Sequence, residues 1–304
     1  MAGFFRVCDG YILHVTVLIP VYNRESFIDD AIDSVVAQDY NDWDMLIVDD
    51  GSTDRTVEVV KSRVSNGRIQ LIQMKHNGCA AAFAMGIEYA RGPVITCLGS
   101  DDKLMPDSLS TVMPAFEDDP RLGYVWTNWI DSTGDKGFGD FLPFGMTLVE
   151  ALISRGWQGS AQQFFRKEFY LQSKGLDTSI KYAVDFQLAL LIAKTGCNTL
   201  HIPKVTYWRR IHPHQITVER YTEVLEDERL VRLKSCNGSA ALIDLYFGGI
   251  EKETDALRSE LMGIKKSFGY KFMRSYSSII EQIMPDNTRR GELKRKIINH
   301  VRNS

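Results

Sequence analysis

The stretch VITCLGSDD, residues 94–102, joins a short apolar run to a glycine, a serine and two adjacent carboxylates. The run has the length of a strand buried in a sheet. Carboxylates directly after such a strand lie in the crevice where open α/β sheets bind ligands, and they suit a hard divalent cation. One interpretation is therefore a metal site that also holds a phosphate. The other is that Asp101 and Asp102 begin a turn and cap the helix expected after Pro106.

Three strands are predicted before this stretch, over residues 15–21, 45–48 and 69–74. Helices are predicted after them, from Ser26, over residues 56–64 and from Asn77 onward. Successive strand-helix units need right-handed parallel crossovers, so the first hundred residues should form a doubly wound α/β sheet of the nucleotide-binding type. The acidic turns at Asp49 and Asp101 would then lie on the same ligand-binding edge.

The pattern is weaker from residue 109 onward. Short strands are predicted over residues 124–127, around Phe164 and over residues 205–208. Residues 183–193 predict an apolar helix with Asp185 near its start, where the helix dipole favours a carboxylate. The glycine-rich residues 134–145 are interpreted as an excursion over the site.

Beyond Thr217 the sequence predicts helices alone, over residues 223–236, 240–247, 254–267 and 272–284. The last segment, residues 289–302, is basic with one apolar face. Such a helix can lie on an anionic membrane surface, which would make a peripheral membrane contact. It can also pack on the domain with its charges solvated, and the sequence leaves both interpretations open.

Composition limits the class of function. The net charge of −3 over 304 residues offers no general attraction to nucleic acid, so a nucleic-acid partner is not expected. The five scattered cysteines are interpreted as reduced thiols of a cytoplasmic protein. The first ten residues do not resemble a secretory signal. We therefore expect the protein in the cytoplasm, at the inner face of the membrane if the basic helix binds lipid.

Five motifs together resemble the family-two glycosyltransferases of the GT-A fold. They are VLIPVYNR at 17–24, VDDGSTD at 48–54, GSDD at 99–102, AVDFQL at 183–188 and YWRRIHP at 207–213. The resemblance implies a GT-A domain over residues 1–217 and a helical extension over 218–304. Within that domain, residues 1–108 would be the nucleotide-binding half and 109–217 the acceptor-binding half.

The resemblance also implies a site for a nucleotide-sugar. Pro20, Tyr22 and Glu25 would line the base and ribose, and Asp50 would accept a hydrogen bond from the uracil N–H, which favours a UDP-sugar donor. The remaining residues of the predicted donor site are Asn77, Gly78, Ser100 and Asp101. Taken singly, Pro20 could merely end a strand, Tyr22 fill a gap and Asp50 form a turn.

For the cation, the resemblance implies Mn²⁺ or Mg²⁺ held by Asp101 and Asp102 and bridging the diphosphate. Gly99 stands where the family often has a further carboxylate. His212 is the candidate for an additional ligand, because imidazole binds Mn²⁺ acceptably. The alternative for His212 is a turn residue beside Pro213.

Asp185 matches the general base of an inverting transfer, although Val184 stands where the family usually has Glu. The alternative is an aspartate that only favours the helix dipole. The resemblance thus implies an inverting, metal-dependent glycosyltransferase acting on the hydroxyl of a growing polysaccharide or a lipid-linked glycan. A nucleotide-sugar-binding module with little catalysis is the alternative. Nucleotidyl transfer is disfavoured, because no glycine-rich phosphate loop follows the first strand.

Overall fold

The computed structural model describes residues 12–64, 67–134, 136–137, 147–154, 162–236, 239 and 241–246. The chain divides into two compact units, residues 1–246 and 247–304, and all described residues lie in the first. Its strands β1 to β9 are Val15–Val21, Trp43–Asp49, Ile69–Gln73, Val94–Cys97, Lys103–Leu104, Leu122–Asp131, Lys136–Gly137, Gln163–Arg166 and Asn198–Arg209. Its helices α1 to α9 are Ile28–Val36, Thr56–Arg63, Cys79–Tyr89, Ser108–Asp118, Leu148–Ile153, Lys167–Gln172, Val184–Ala193, Ile216–Glu219 and Tyr221–Cys236. Residues 241–246 are also helical.

The described strands form one mixed sheet in the order β3-β2-β1-β4-β8-β6-β9-β5, with β7 beside β6. The four strands β1 to β4 are parallel, β8 is antiparallel to both β4 and β6, and β6 is parallel to β9. The chain builds outward from β1 through β2 to β3 and then returns to place β4 on the other side of β1. The predicted α/β fold is confirmed, and the strand order reverses at β1.

Both faces of β1 are buried, as its continuous apolar sequence predicts. On one face, Val15, Val17 and Ile19 belong to a core that also contains apolar residues of α1 and α4. On the other face, Leu18 packs against Gly86 of α3. Helices therefore cover both faces of the sheet at the strand on which the site is built.

Several elements differ from the predictions. Strands β6 and β9 extend well beyond residues 124–127 and 205–208, because they pair with each other along most of their length, through shifts in register. α1 begins at Ile28 rather than Ser26. Strand β5 and helix α6 have no counterpart in the sequence-based prediction.

The C-terminal predictions are covered only in part. The helix predicted over residues 223–236 is confirmed as part of α9. The predicted helices over 254–267 and 272–284, the basic helix 289–302 and most of the glycine-rich stretch 134–145 lie outside the described residues. In the part of the chain that the structure describes, no helix is both long and apolar enough to cross a membrane.

Helix α9 is anchored to the body of the first unit by polar contacts. Arg232 Nε donates to the carbonyl oxygen of Leu152 in α5 at 2.9 Å. Asp227 Oδ2 accepts hydrogen bonds from the backbone N–H groups of Lys181 and Tyr182, both at 2.8 Å. The second contact determines the position of the segment that precedes α7.

The close packing of Gly86 gives a prediction about stability. A Cβ at this position would lie 2.2 Å from Cδ1 of Leu18, which is itself fully buried. Gly86→Ala should therefore lower the free energy of unfolding by about 1–3 kcal/mol, the usual cost of overpacking a core. Urea denaturation would measure the change.

The control for this prediction is Glu88→Ala, on the exposed side of the same helix, which should change the free energy by less than about 0.5 kcal/mol. Glycine in a helix interior is ordinarily less favourable than alanine by about 1 kcal/mol. A neutral or stabilising Gly86→Ala would contradict the packing described here.

Candidate functional site

A cavity of about 760 Å³ lies at the carboxyl-terminal ends of β1, β2 and β4. Its first wall comes from the loop after β1, the turn after β2 and the start of α3. Its second wall comes from residues 178–182 and from α8 with the residues just before and after it. Six residues of the predicted donor site line this cavity: Pro20, Tyr22, Asp50, Asn77, Gly78 and Ser100.

Asp50 is buried and organises the turn that leads into α3. Its Oδ1 accepts from the N–H of Asn77 at 2.7 Å, and its Oδ2 accepts from the N–H of Gly78 at 2.9 Å. Oδ2 also lies 2.9 Å from Nδ1 of His76. Each carboxylate oxygen has two lone pairs, so these bonds leave capacity for a further donor. The turn role and the predicted uracil contact are therefore compatible.

An aromatic surface borders the cavity beside Asp50. Tyr22 stacks on His76 with 4.3 Å between ring centroids and an angle of 25° between the planes. Two hydrogen bonds join the loop after β1 to the loop after β2. Asn23 Oδ1 accepts from the N–H of Thr53 at 2.8 Å, and Ser52 Oγ accepts from the N–H of Asn23 at 2.9 Å. The Tyr22 ring is thus presented by a well-anchored loop.

Glu25 is not among the residues that line the cavity. Its Oε2 accepts from the N–H of Arg55 at 2.8 Å, which satisfies a backbone donor just before α2. Its own N–H donates to Asp54 Oδ2 at 3.1 Å. The structure therefore gives Glu25 a role in joining the loop to α2, and its predicted ribose contact stays a prediction.

The acidic turn does not cap the helix that follows it. Asp102 N donates to the carbonyl oxygen of Gly99 at 3.1 Å, so the residues do form a turn. α4, however, begins at Ser108 without a side-chain cap. Asp101 Oδ2 instead lies 3.0 Å from Nε2 of His212 and accepts from Nε of Arg24 at 3.3 Å. The helix-cap interpretation of the turn was wrong.

Asp102 is held by the end of β9. Its Oδ2 accepts from the hydroxyl of Tyr207 at 2.7 Å, and its Oδ1 accepts from the N–H of Arg210 at 2.8 Å. Burial, followed by the charge of Asp101, raises the pKa of Asp102 to about 6, although the Tyr207 hydrogen bond acts in the opposite direction. Burial and Asp102 in turn raise the pKa of Tyr207 well above its ordinary value, so the phenol remains a donor.

His212 and the acidic turn offer oxygen and nitrogen atoms to a divalent cation. Within the described ranges, no three or more His, Cys, Asp or Glu side chains are grouped to hold a metal by themselves. Mg²⁺ commonly needs only one or two carboxylates, with substrate phosphates and water completing its shell. Nδ1 of His212 is buried without a hydrogen-bond partner in this part of the chain. Asp101 and Asp102 therefore supply the one or two carboxylates that an ion shared with a diphosphate needs, and His212 contacts Asp101.

Asp185 lies in the first turn of α7, where its Oδ1 accepts the N–H of Phe186 at 2.8 Å. It retains solvent access, while surrounding protein atoms partly desolvate it and raise its pKa to about 6, with a smaller contribution from Glu228. Burial raises the pKa of the Cys79 thiol to about 12, and the charge of Asp185 adds to that shift. Cys79 lines the cavity, whereas Asp185 itself is not among the residues that line it.

Sequence reasoning missed several residues of the site. Arg24 lines the cavity and contacts Asp101, while Lys181 and Arg220 belong to the second wall. Tyr207 and Arg210 hold Asp102. Arg24, Tyr207 and Arg210 were within the recognised motifs, and a buried carboxylate requires partners, so a signal existed for them. Lys181 and Arg220 carry no such signal.

The sequence was compared with known proteins. The family model described as glycosyl transferase family 2 matches residues 16–171. A chondroitin synthase of Escherichia coli is 28% identical over 212 residues, covering 68% of this chain and 30% of that protein. A hyaluronan synthase of Pasteurella multocida is 28% identical over 223 residues, covering 68% of this chain and 21% of that protein. The chain thus spans less than a third of the length of either curated relative.

Two solved structures share the fold. TarS 1–349 of S. aureus, in complex with UDP-GlcNAc, matches with a TM-score of 0.62 and 17% identity over 85% of this chain and 78% of that one. The mannosyltransferase PcManGT of Pyrobaculum calidifontis, in complex with GDP-Man and Mn²⁺, matches with a TM-score of 0.55 and 18% identity over 88% and 84%. The fold is accordingly of the GT-A type.

The raised pKa of Asp185 predicts how pH affects stability. The folded pKa of about 6 exceeds the ordinary value of 3.8, so folding disfavours the ionised form. This destabilisation is absent below pH 3.8 and fully present above pH 6. Asp185→Asn should therefore raise the melting temperature near neutral pH, and the gain should disappear near pH 4. Thermal unfolding across this pH range is the measurement.

Asp177→Asn is the matched control with the opposite sign. Hydrogen bonds from Lys234 and Ser179 hold the pKa of Asp177 at about 2, so its ionised form stabilises the fold. This substitution should lower the melting temperature near neutral pH. Equal shifts in both variants would show that the environment of Asp185 is not desolvating.

Proposed function

Because the chain belongs to glycosyl transferase family 2, we propose that it is an inverting, metal-dependent glycosyltransferase that moves a sugar from a UDP-sugar to an acceptor hydroxyl. The observation that carries the proposal is the cavity at the strand-order reversal, bordered by the turn of Asp50 and close to the carboxylates of the acidic turn and of Asp185. Open α/β sheets bind nucleotides at such reversals.

The donor end of the cavity suits a nucleoside diphosphate. The stacked ring of Tyr22 offers a flat face for a base, and Asp50 offers acceptor oxygens. Arg24, Lys181 and Arg220 supply positive charge for phosphates. TarS was solved with UDP and with UDP-GlcNAc, and PcManGT with GDP-Man. We choose uridine because its imide N–H donates to a carboxylate.

Asp101, Asp102 and His212 would hold Mn²⁺ or Mg²⁺ together with the diphosphate. The ion would neutralise the charge that develops on the departing nucleoside diphosphate. PcManGT and GalNAc-T7 were both solved with Mn²⁺, which supports this assignment. Arg24, which contacts Asp101 and lines the cavity, would bring a further positive charge to the leaving group.

Asp185 would act as the general base. The acceptor oxygen attacks the anomeric carbon of the donor sugar as the bond from that carbon to the diphosphate oxygen breaks, and Asp185 takes the acceptor proton. A pKa of about 6 leaves the carboxylate ionised at neutral pH and more basic than an ordinary aspartate. The inverted configuration at that carbon follows from attack opposite the leaving group.

The acceptor is proposed to be a growing polysaccharide or a lipid-linked glycan. Chondroitin and hyaluronan synthases among the relatives support the polysaccharide. Contact of the basic segment 289–302 with the inner face of a membrane stays a prediction, and it would bring the protein to the surface that carries a lipid-linked acceptor.

The central test of the base is Asp185→Asn. With a panel of nucleotide-sugars, Mn²⁺ and oligosaccharide acceptors, the native chain should release UDP from one UDP-sugar. The variant should lose about 10²- to 10⁴-fold in turnover, because a general base typically contributes that much. Its donor dissociation constant, measured by calorimetry, should be unchanged.

Retained turnover in Asp185→Asn would refute the base assignment. Donor binding without turnover in the native chain, for every donor and acceptor tried, would favour the alternative of a binding module. That alternative rests on Gly99 and Val184, which stand where other members of the family usually have carboxylates.

The metal assignment is tested by His212→Gln. His212 either binds the ion itself or contacts the ligand Asp101. In both cases the substitution should raise the Mn²⁺ concentration for half-maximal UDP release by about 10-fold or more. His14→Gln is the control, because His14 contacts Asp42 and Asp44 near the amino-terminal ends of β1 and β2, away from the cavity. UDP release that is unaffected by chelator would contradict any metal role.

A further inference from the structure

Gly99 leaves no room for a side chain in the observed arrangement of the acidic turn. A Cβ built on Gly99 would lie 2.7 Å from Oδ2 of Asp102 and 3.1 Å from the hydroxyl of Tyr207. It would also lie 3.3 Å from Oδ1 of Asp101. The space beside residue 99 is therefore occupied by a carboxylate and a phenol.

Tyr207 connects the two ends of the turn. Its hydroxyl accepts from the N–H of Gly99 at 3.1 Å and donates to Oδ2 of Asp102 at 2.7 Å. A donor that itself accepts a hydrogen bond is polarised by it, which strengthens the bond to the carboxylate. The backbone of Gly99 thus acts on Asp102 through Tyr207.

Neither Tyr207 nor Asp102 can easily rearrange. Tyr207 is only 3% exposed, and its strand pairs with Leu104 on one side and Trp129 on the other. The second oxygen of Asp102 accepts the N–H of Arg210 at 2.8 Å. A carboxylate bonded at both oxygens, with one donor on a buried ring, has a single preferred orientation.

We propose that Tyr207 is a positioning residue for Asp102, and that Gly99 is required because a side chain there would displace Asp102 from the Tyr207 hydroxyl. The neutral hydroxyl of Tyr207 thereby orients the Asp102 carboxylate. It does so beside residue 99, where related sequences often have a further carboxylate. The inference rests on the proposed function, since it assigns Asp102 to the metal and diphosphate.

The test measures Mn²⁺ binding directly, by electron paramagnetic resonance titration of free Mn²⁺ in the presence of UDP. Tyr207→Phe should weaken Mn²⁺ binding by about 10-fold, the usual scale for groups that orient metal ligands. UDP affinity without metal should change little, whereas the melting temperature should fall, because a buried oxygen of Asp102 loses its donor. Tyr170→Phe is the control, because it removes a tyrosine hydroxyl that accepts the N–H of Leu176 away from the site.

Gly99→Ala is the second variant and keeps the proposal testable if Tyr207→Phe fails to fold. It should weaken Mn²⁺ binding at least as much as Tyr207→Phe. The double variant should bind no more weakly than the weaker of the two single variants, because both act through one contact.

Three results would overturn the proposal. The first is native-like Mn²⁺ binding in Tyr207→Phe, and the second is native-like binding in Gly99→Ala. The third is additive weakening in the double variant. If Mn²⁺ does not bind the native chain with UDP, the metal site itself fails, and that failure appears before any variant is compared.

Discussion

The pairing of β1 with β2 on one side and β4 on the other is the constraint on which the site depends. Val21 O accepts the N–H of Asp50 at 2.9 Å, and Leu18 O accepts the N–H of Leu98 at 3.0 Å. The register of β2 and β4 against β1 thus determines where both acidic turns leave the sheet. A change in register of one residue would turn the side chains of β1 to the opposite face and separate the two turns.

Two carboxylates of the candidate site, Asp102 and Asp185, are held in their ionised forms at a cost in stability. Both have raised pKa values, because burial of Asp102 and partial desolvation of Asp185 disfavour their charged forms. Hydrogen bonds from Tyr207 and from the N–H of Arg210 offset this for Asp102, whereas Asp185 accepts from the N–H of Phe186 and keeps an accessible side. Such perturbed groups are concentrated at active sites, where a base must be more reactive than an ordinary aspartate.

The sequence predicted the elements that depend on neighbouring residues, and it missed contacts between residues far apart in the chain. Apolar runs predicted β1 to β4, and the polar residues after them predicted residues that line the cavity, such as Tyr22 and Asp50. The contact between Asp102 and Tyr207 joins residues 105 positions apart, so no periodicity could reveal it. Lys181 lies on the second wall, where its backbone N–H donates to Asp227 of α9, a contact between residues 46 positions apart. Glu25 was assigned to the ribose from its motif, and its hydrogen bond to Arg55 shows how one motif position can serve the scaffold.

The family model covers the first wall of the cavity and not the second. The family match ends at residue 171, so it includes the wall that carries Asp50, while the wall formed by residues 178–182 and α8 lies beyond it. Asp227 holds residues 181 and 182 of the second wall through backbone N–H groups, which any residue except proline would provide. Its chemistry can therefore diverge by substitution without loss of the anchor. A lineage could change what enters the second half of the cavity while inheriting the first half unaltered.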